Sequence, residues 1–393
     1  MDDNFTPPSE PSSPRPAAVP PPLLQTPPSF SRAAYPAARR GKGTGWKIFA
    51  FIALALFLLS LVFNPFHAMF NLMQVDGGLP QRHTVGPRLQ EAWLKDNDSR
   101  NKIAVIPIEG VITSQSVGRN GFNMVDVVED QLRRAAEDKN VKAVILKVNS
   151  PGGEVLASDD IYNLLEKFQA KSGKPVVAAM GSLAASGGYY VSAPCQWIVA
   201  NEMTITGSIG VIMHGYNVRG LMDKVGIRPE VFKSGRFKDM LSWDKREQDI
   251  TQEERDLVQS MVNETFDKFK SVVAAGRESA AKRNANSADK SRNLADNWEQ
   301  FADGRVLSGK EALKYGFVDE LGNFDVAVAR AQKLAKVSDA NLIQYQQVFD
   351  LGDIFGILGQ SQEARVVKVD VGVDVPRLQL GRLYFLCPIV LPR

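Results

Sequence analysis

The sequence predicts an α/β layered domain on a mainly parallel sheet, following a single apolar span. Three observations carry this. Short apolar runs alternate with helix-period segments from residue 102 onward. Glycine pairs at 152–153 and 187–188 each follow the end of such a run. Sixteen residues without a charge, Ile48–Phe63, precede all of them.

At 393 residues the chain has room for one large domain or two ordinary ones. A net charge of +3 and the lack of a basic run with interleaved aromatics give no argument for nucleic acid. Cys195 and Cys387 lack metal-ligand spacing and read as two buried or indifferent thiols. His67, His83 and His214 are scattered, so neither a metal nor a cofactor is expected.

Residues 1–45 hold half of the chain's 22 prolines, all before residue 37. Such a stretch cannot bury enough apolar surface to offset its ordering entropy and is expected to be a solvated, polyproline-rich tail. Residues 46–66 read as a transmembrane signal anchor. Trp46 and the flanking aromatics suit an interface, and the span has no polar face, as a buried core helix would. Arg39, Arg40, Lys42 and Lys47 lie on its N-terminal side, so the tail is expected in the cytoplasm and the rest outside it. The small-residue pattern of a cleavable signal peptide is poor here.

Residues 67–100 are expected to form a partly helical, membrane-proximal connector, 101–340 the main domain and 341–393 a C-terminal extension. Within the domain, strands are predicted at 102–110, 143–148, 176–180 and 196–200, with helices at 124–136, 156–168 and 189–193. A long amphipathic helix begins near Thr251, with Glu254 as its capping-box partner, and runs to about Ala275. Residues 277–297 are polar and expected to be exposed. A further helix spans 325–336, and Ala364–Val371 has the pattern of a strand.

The chemistry concentrates at 181–211. Small residues run from Gly181 to Gly188, and Ser186 falls where strand turns to helix. A serine there projects its hydroxyl into a cleft, while Gly187 offers a backbone N–H at the positive end of a helix, as an acyl-transfer nucleophile requires. The same residues also suit a tight packing turn with Ser186 as N-cap. Ligands of open α/β sheets sit at the carboxyl ends of strands, so both glycine pairs can face one cleft.

Five segments, Asn149–Gly153, Ala184–Tyr190, Thr206–Val211, Lys233–Asp239, and Asp303–Arg305 with Gly316–Glu320, resemble in consistent order the bacterial signal peptide peptidase A family. The resemblance covers about residues 100–340. It implies a Clp-protease/crotonase-like fold and a Ser-Lys dyad, with Ser186 as nucleophile, Lys238 as general base and Ser208 holding the lysine amine. Gly153 or Gly152 would join Gly187 in the oxyanion hole. It further implies a membrane-anchored serine endopeptidase acting on signal-peptide remnants and other hydrophobic peptides at the bilayer. The single copy of the domain resembles the short form, which implies a ring-shaped homo-oligomer in the bacterial inner (cytoplasmic) membrane with its catalytic domain periplasmic or extracytoplasmic. Pro194–Trp197 departs from the family's usual Ala-Asp pattern after the nucleophile helix, at positions with no catalytic role.

A serine hydroxyl needs a base, and a lysine acts as one only where desolvation or nearby cations favour its neutral form. Lys233 and Arg236 are the nearby cations in sequence. Without the resemblance, Lys238 reads as a surface lysine, Ser208 as a turn serine and Gly152–Gly153 as a plain turn. His214 offers a competing Ser-His arrangement, with no acid placed to orient it. Two other readings stand beside the peptidase: a crotonase-fold acyl-CoA hydratase or isomerase, and a non-catalytic membrane scaffold.

Overall fold

The computed structural model describes residues 49, 51–54, 86–116, 122–347 and 382–387. The chain divides into two units, Met1–Arg82 and His83–Arg393. In the first, residues 49 and 51–54 are helical. The proline-rich tail, most of the apolar span and the strand expected at 364–371 lie outside the described residues. Among the described residues no helix is long and apolar enough to cross a membrane.

The second unit begins with β1 (Leu89–Lys95) and β2 (Lys102–Glu109), then α1 (Met124–Glu137) and β3 (Val141–Ser150). β4 (Gly152–Glu154) runs into α2 (Val155–Ser172), and β5 (Val176–Ala185) into α3 (Gly187–Ser192). β6 (Trp197–Ala200), β7 (Ile205–Gly207), β8 (Ile212–Met213) and α4 (Arg219–Val225) follow. The long helix is α5 (Gln252–Arg283). β9 (Val306–Ser308), α6 (Gly309–Lys314), β10 (Glu320–Leu321), α7 (Phe324–Ala335), β11 (Asn341–Gln347) and β12 (Leu383–Leu386) complete the described elements.

The main sheet has nine strands, ordered β1-β11-β2-β3-β5-β6-β10, with β7 on β5 and β9 on β7. It is mixed: the central pairs are parallel, while β1 with β11 and β7 with β9 are antiparallel. Its central strands are apolar on both faces because both faces are covered. In β3, Val144, Leu146 and Val148 enter the core under α1, α2, α3 and α5, while Ala143 and Ile145 meet Ala327 and Ala331 of α7. A second sheet has three strands, ordered β4-β12-β8.

Several boundaries differ from the sequence reading. Residues 89–95, expected in a partly helical connector, form a strand paired with β11, so the sheet reaches beyond 101–340 at both ends. The capping box at Thr251 and Glu254 is present, but α5 continues to Arg283. Residues 277–297 are not uniformly exposed. Arg277 is 1% exposed and ion-paired with Asp319, whose carboxylate also accepts from the Ile198 and Arg292 N–H groups, both at 2.8 Å. Asn284 and Ser291 are buried as well. Both cysteines are buried and free, and burial pushes the Cys195 thiol up to about 12.

Candidate active site

β5 carries its continuous apolar run to Met180 and then continues through mostly small residues to Ala185. Ser186 follows directly and occupies the N-cap position of α3, yet its side chain caps nothing. Its backbone is at φ 55° and ψ −117°, a left-handed conformation that L-residues adopt only under constraint. The constraint comes from both sides. Ser186 N–H donates to the Gly207 carbonyl at 2.8 Å, and its carbonyl accepts from Tyr190 N–H at 2.8 Å. The hydroxyl is 1% exposed with its residue, and Oγ has no hydrogen-bond partner among the described residues. Buried polar atoms are nearly always paired, so an orphan hydroxyl on a strained turn calls for an explanation.

Ser208 lies alongside. Ala185 is in parallel register with Gly207, so Ser186 and Ser208 leave adjacent strands at the same level. Ser208 also has positive φ, 51°, and is pinned by its N–H to the Arg305 carbonyl at 2.7 Å. This is where the Asp303–Arg305 segment touches the site.

The glycine strand β4 packs against the start of α3. A methyl group added at Gly187 would stand 3.0 Å from both the Gly152 Cα and the Gly153 nitrogen. One added at Gly152, where φ is +97°, would stand 2.5 Å from the Gly187 nitrogen. Only glycine permits this approach, which brings the backbone of 152–153 against the Gly187 N–H. Beside it is a cleft of about 260 Å³ lined by Ser208, Gly210, Val211, Val262, Phe266 and Leu386.

The structure therefore brings together Ser186, Ser208, Gly152, Gly153 and Gly187. Lys238 is not part of this group. It lies on an exposed turn after α4, and its Nζ makes no hydrogen bond or ion pair among the described residues. The cations expected to influence it are compensated. Lys233 pairs with Asp239 at 2.8 Å and Arg236 pairs with Glu253. A larger cavity, about 510 Å³, lies among Lys233, Asp239, Lys245 and Glu254, and none of the serines or glycines above lines it. His214, just after β8, is exposed and has no hydrogen-bond partner among the described residues. No group of three or more His, Cys, Asp or Glu that could hold a metal occurs among the described residues.

Sequence reasoning missed one part of the site. Residues 382–387 run between β4 and β8, with Phe385 stacked on Tyr190 at 4.8 Å between ring centroids. The run Leu-Tyr-Phe-Leu-Cys is apolar, but nothing local says which edge it joins.

A buried, strained serine at the end of a parallel strand, beside the backbone N–H groups of a glycine turn, is an arrangement that a serine hydrolase on an α/β fold can use. Family comparison agrees. The Clp protease family model matches residues 111–196, and the model for peptidase family S49 matches residues 168–338. A protein named signal peptide peptidase SppA in Enterococcus faecium is 36% identical over 263 residues, covering 66% of this chain and 71% of that protein. A protease of Synechocystis sp. is 36% identical over 243 residues, covering 62% and 78%. Protease 4 of Haemophilus influenzae is 34% identical over 245 residues, which is 62% of this chain but 36% of that longer protein. The chain belongs to peptidase family S49 and is a serine protease.

Proposed function

We propose that this protein is a membrane-anchored endopeptidase that cleaves apolar peptides, signal-peptide remnants among them, through a Ser186–Lys238 dyad. The observation that carries the nucleophile is the buried, unpartnered Ser186 Oγ on a strained turn beside the Gly153 and Gly187 backbone. In this mechanism Lys238 takes the hydroxyl proton as Oγ attacks the scissile carbonyl. The Gly153 and Gly187 N–H groups bind the developing oxyanion, with Gly152 holding the turn. Lys238 then gives the proton to the leaving amine. Water attacks the acyl-enzyme by the same route in reverse, and Ser208 orients the amine without adding a negative charge.

For Lys238 to serve as base, its segment must be brought against Ser186 and Ser208 and desolvated there. Leu221, Val225, Ile227, Val231 and Phe232 are exposed nearby, Phe232 at 93%. An apolar face of this size supports a homo-oligomer in which a second copy covers the segment, in keeping with the ring implied by the family resemblance. The cations before Ile48–Phe63 support a single-pass anchor with the catalytic domain outside the cytoplasm. A reporter fused after residue 100 should be active only outside the cytoplasm, and a cytoplasmic signal refutes that topology.

The deciding experiment for the nucleophile is labelling of the solubilised full chain with a fluorophosphonate probe. Modification should map to Ser186 and disappear in Ser186→Ala. Labelling elsewhere, or peptide cleavage that survives Ser186→Ala, overturns the assignment.

A further inference from the structure

β12 is a segment of this chain lying where an extended peptide would lie. It runs antiparallel to β4 on one side, Phe385 opposite Gly153, and to β8 on the other, Leu383 opposite Met213. The Gly152 carbonyl and the Glu154 N–H are both turned to Ile112, at 2.9 and 2.8 Å, and Cys387 N–H donates to the Pro151 carbonyl at 2.8 Å. Antiparallel ladders alternate in direction, so Gly153 turns its N–H and carbonyl towards Phe385. A methyl built on Gly152 would stand 2.0 Å from the Phe385 carbonyl oxygen and 2.5 Å from the Gly187 nitrogen, so those two atoms flank one point. The Phe385 carbonyl thus lies beside the glycine turn, close to the Gly187 nitrogen next to Ser186.

Its side chain fills an enclosed pocket. The ring is 0% exposed, stacked on Tyr190 and 4.6 Å from the Phe269 centroid. Three residues earlier, Arg382 Nη1 donates to Glu154 Oε1 at 3.0 Å. Glu154 is 5% exposed. Its other donors are neutral: Ser114 Oγ at 2.5 Å, Ser114 N–H at 3.0 Å and Thr113 Oγ1 at 3.2 Å. A buried carboxylate is costly unless a cation balances it. Among the described residues the one ion pair to Glu154 comes from Arg382, which belongs to the same segment as Phe385.

We propose that Glu154 is a cation-recognising subsite of the peptide cleft, occupied here by the chain's own Arg382–Cys387 segment. It selects extended apolar peptides with Arg or Lys three residues before the aromatic or large apolar residue held by Tyr190 and Phe269. A cation followed by an apolar run, read from N to C, is also how a signal peptide begins. The inference rests on Ser186 being the nucleophile.

The test compares two reporter peptides on the solubilised full chain, Arg-Leu-Tyr-Phe and the same sequence with neutral citrulline for arginine. Phe385→Asp is measured alongside, because a carboxylate in the aromatic pocket expels β12 and frees the cleft. A charge-assisted hydrogen bond to a buried carboxylate predicts a preference for the arginine peptide in kcat/KM of about tenfold. Glu154→Gln should reduce that ratio to near unity, and Glu154→Lys should favour a glutamate peptide instead. No arginine preference in either wild type or Phe385→Asp, or a preference unchanged by both Glu154 variants, overturns the subsite. If the Glu154 variants fail to fold, the arginine–citrulline comparison on unmutated Glu154 still decides. Fluorophosphonate labelling run in parallel separates the two levels. Ser186 labelled without charge preference sinks the subsite alone, and no labelling in either background sinks the nucleophile assignment beneath it.

Discussion

Replacing Ser186 by alanine should make the protein more stable. A serine at an N-cap ordinarily accepts a hydrogen bond from the first turn of the helix, and its replacement by alanine costs about 1 kcal/mol. Here the side chain makes no cap bond, and its buried Oγ has no partner among the described residues. An unsatisfied buried hydroxyl costs about 1–3 kcal/mol, which alanine removes. The small void left behind offsets part of this, so a net gain of about 1 kcal/mol is expected for Ser186→Ala. Ser186→Gly should add relief of the φ 55° strain, about 1–3 kcal/mol less the 0.5–1 kcal/mol entropy of glycine. For a domain of this size, 1 kcal/mol corresponds to about 2–4 °C in Tm. The assay is thermal unfolding of the solubilised full chain followed by tryptophan fluorescence, with buried Trp197 as one reporter. A Tm lowered by a few degrees in Ser186→Ala would show that the hydroxyl caps α3 structurally, and the reasoning from an idle, reserved hydroxyl would be wrong.

Ser186→Ala and Lys238→Ala should each remove nearly all peptidase activity, the double variant being little worse than either, because the pair acts as a unit. Ser208→Ala should fall between, and His214→Ala should be nearly neutral; loss of activity in His214→Ala with Lys238→Ala fully active would replace the dyad by a histidine base. Gly152→Ala would set a methyl 2.0 Å from the Phe385 carbonyl oxygen at φ +97°, so it should lose both activity and about 1–3 kcal/mol in denaturant unfolding. Asp319→Asn leaves the Arg277 guanidinium buried without its counter-charge and should cost about 3–5 kcal/mol by the same assay. Burial pushes the Glu154 carboxyl up, but the Ser114 bonds, the Arg382 charge and Thr113 outweigh it and hold it below the usual glutamate range. Its stabilisation is therefore present above the unfolded value and is lost as pH falls through the lowered one. The Tm difference between wild type and Glu154→Gln should be full at neutral pH and close below about pH 4; a difference independent of pH contradicts this.

The sequence by itself determined the features that depend on neighbours along the chain. The apolar runs at 143–148 and 176–180 need only burial on both faces to become central strands, and they do. The Thr251–Glu254 capping box closes within one helical turn. The small residues around Ser186 and the glycines at 152–153 mark close backbone approach whatever approaches them. Tertiary structure alone decided which segments meet. Pairing of β12 with β4 joins residues more than two hundred positions apart, and no local pattern at 382–387 distinguishes that edge from another. The same holds for Arg277 with Asp319: a charged residue on a long helix reads as solvated until a distant carboxylate is packed against it. The strain at Ser186 is likewise imposed from outside its own stretch, by a hydrogen bond to Gly207 on a neighbouring strand. Periodicity, caps and turns are short-range preferences that the residues carry with them. Strand pairing, buried charge and a hydroxyl held without a partner are long-range outcomes, and they exist only once the chain has closed on itself.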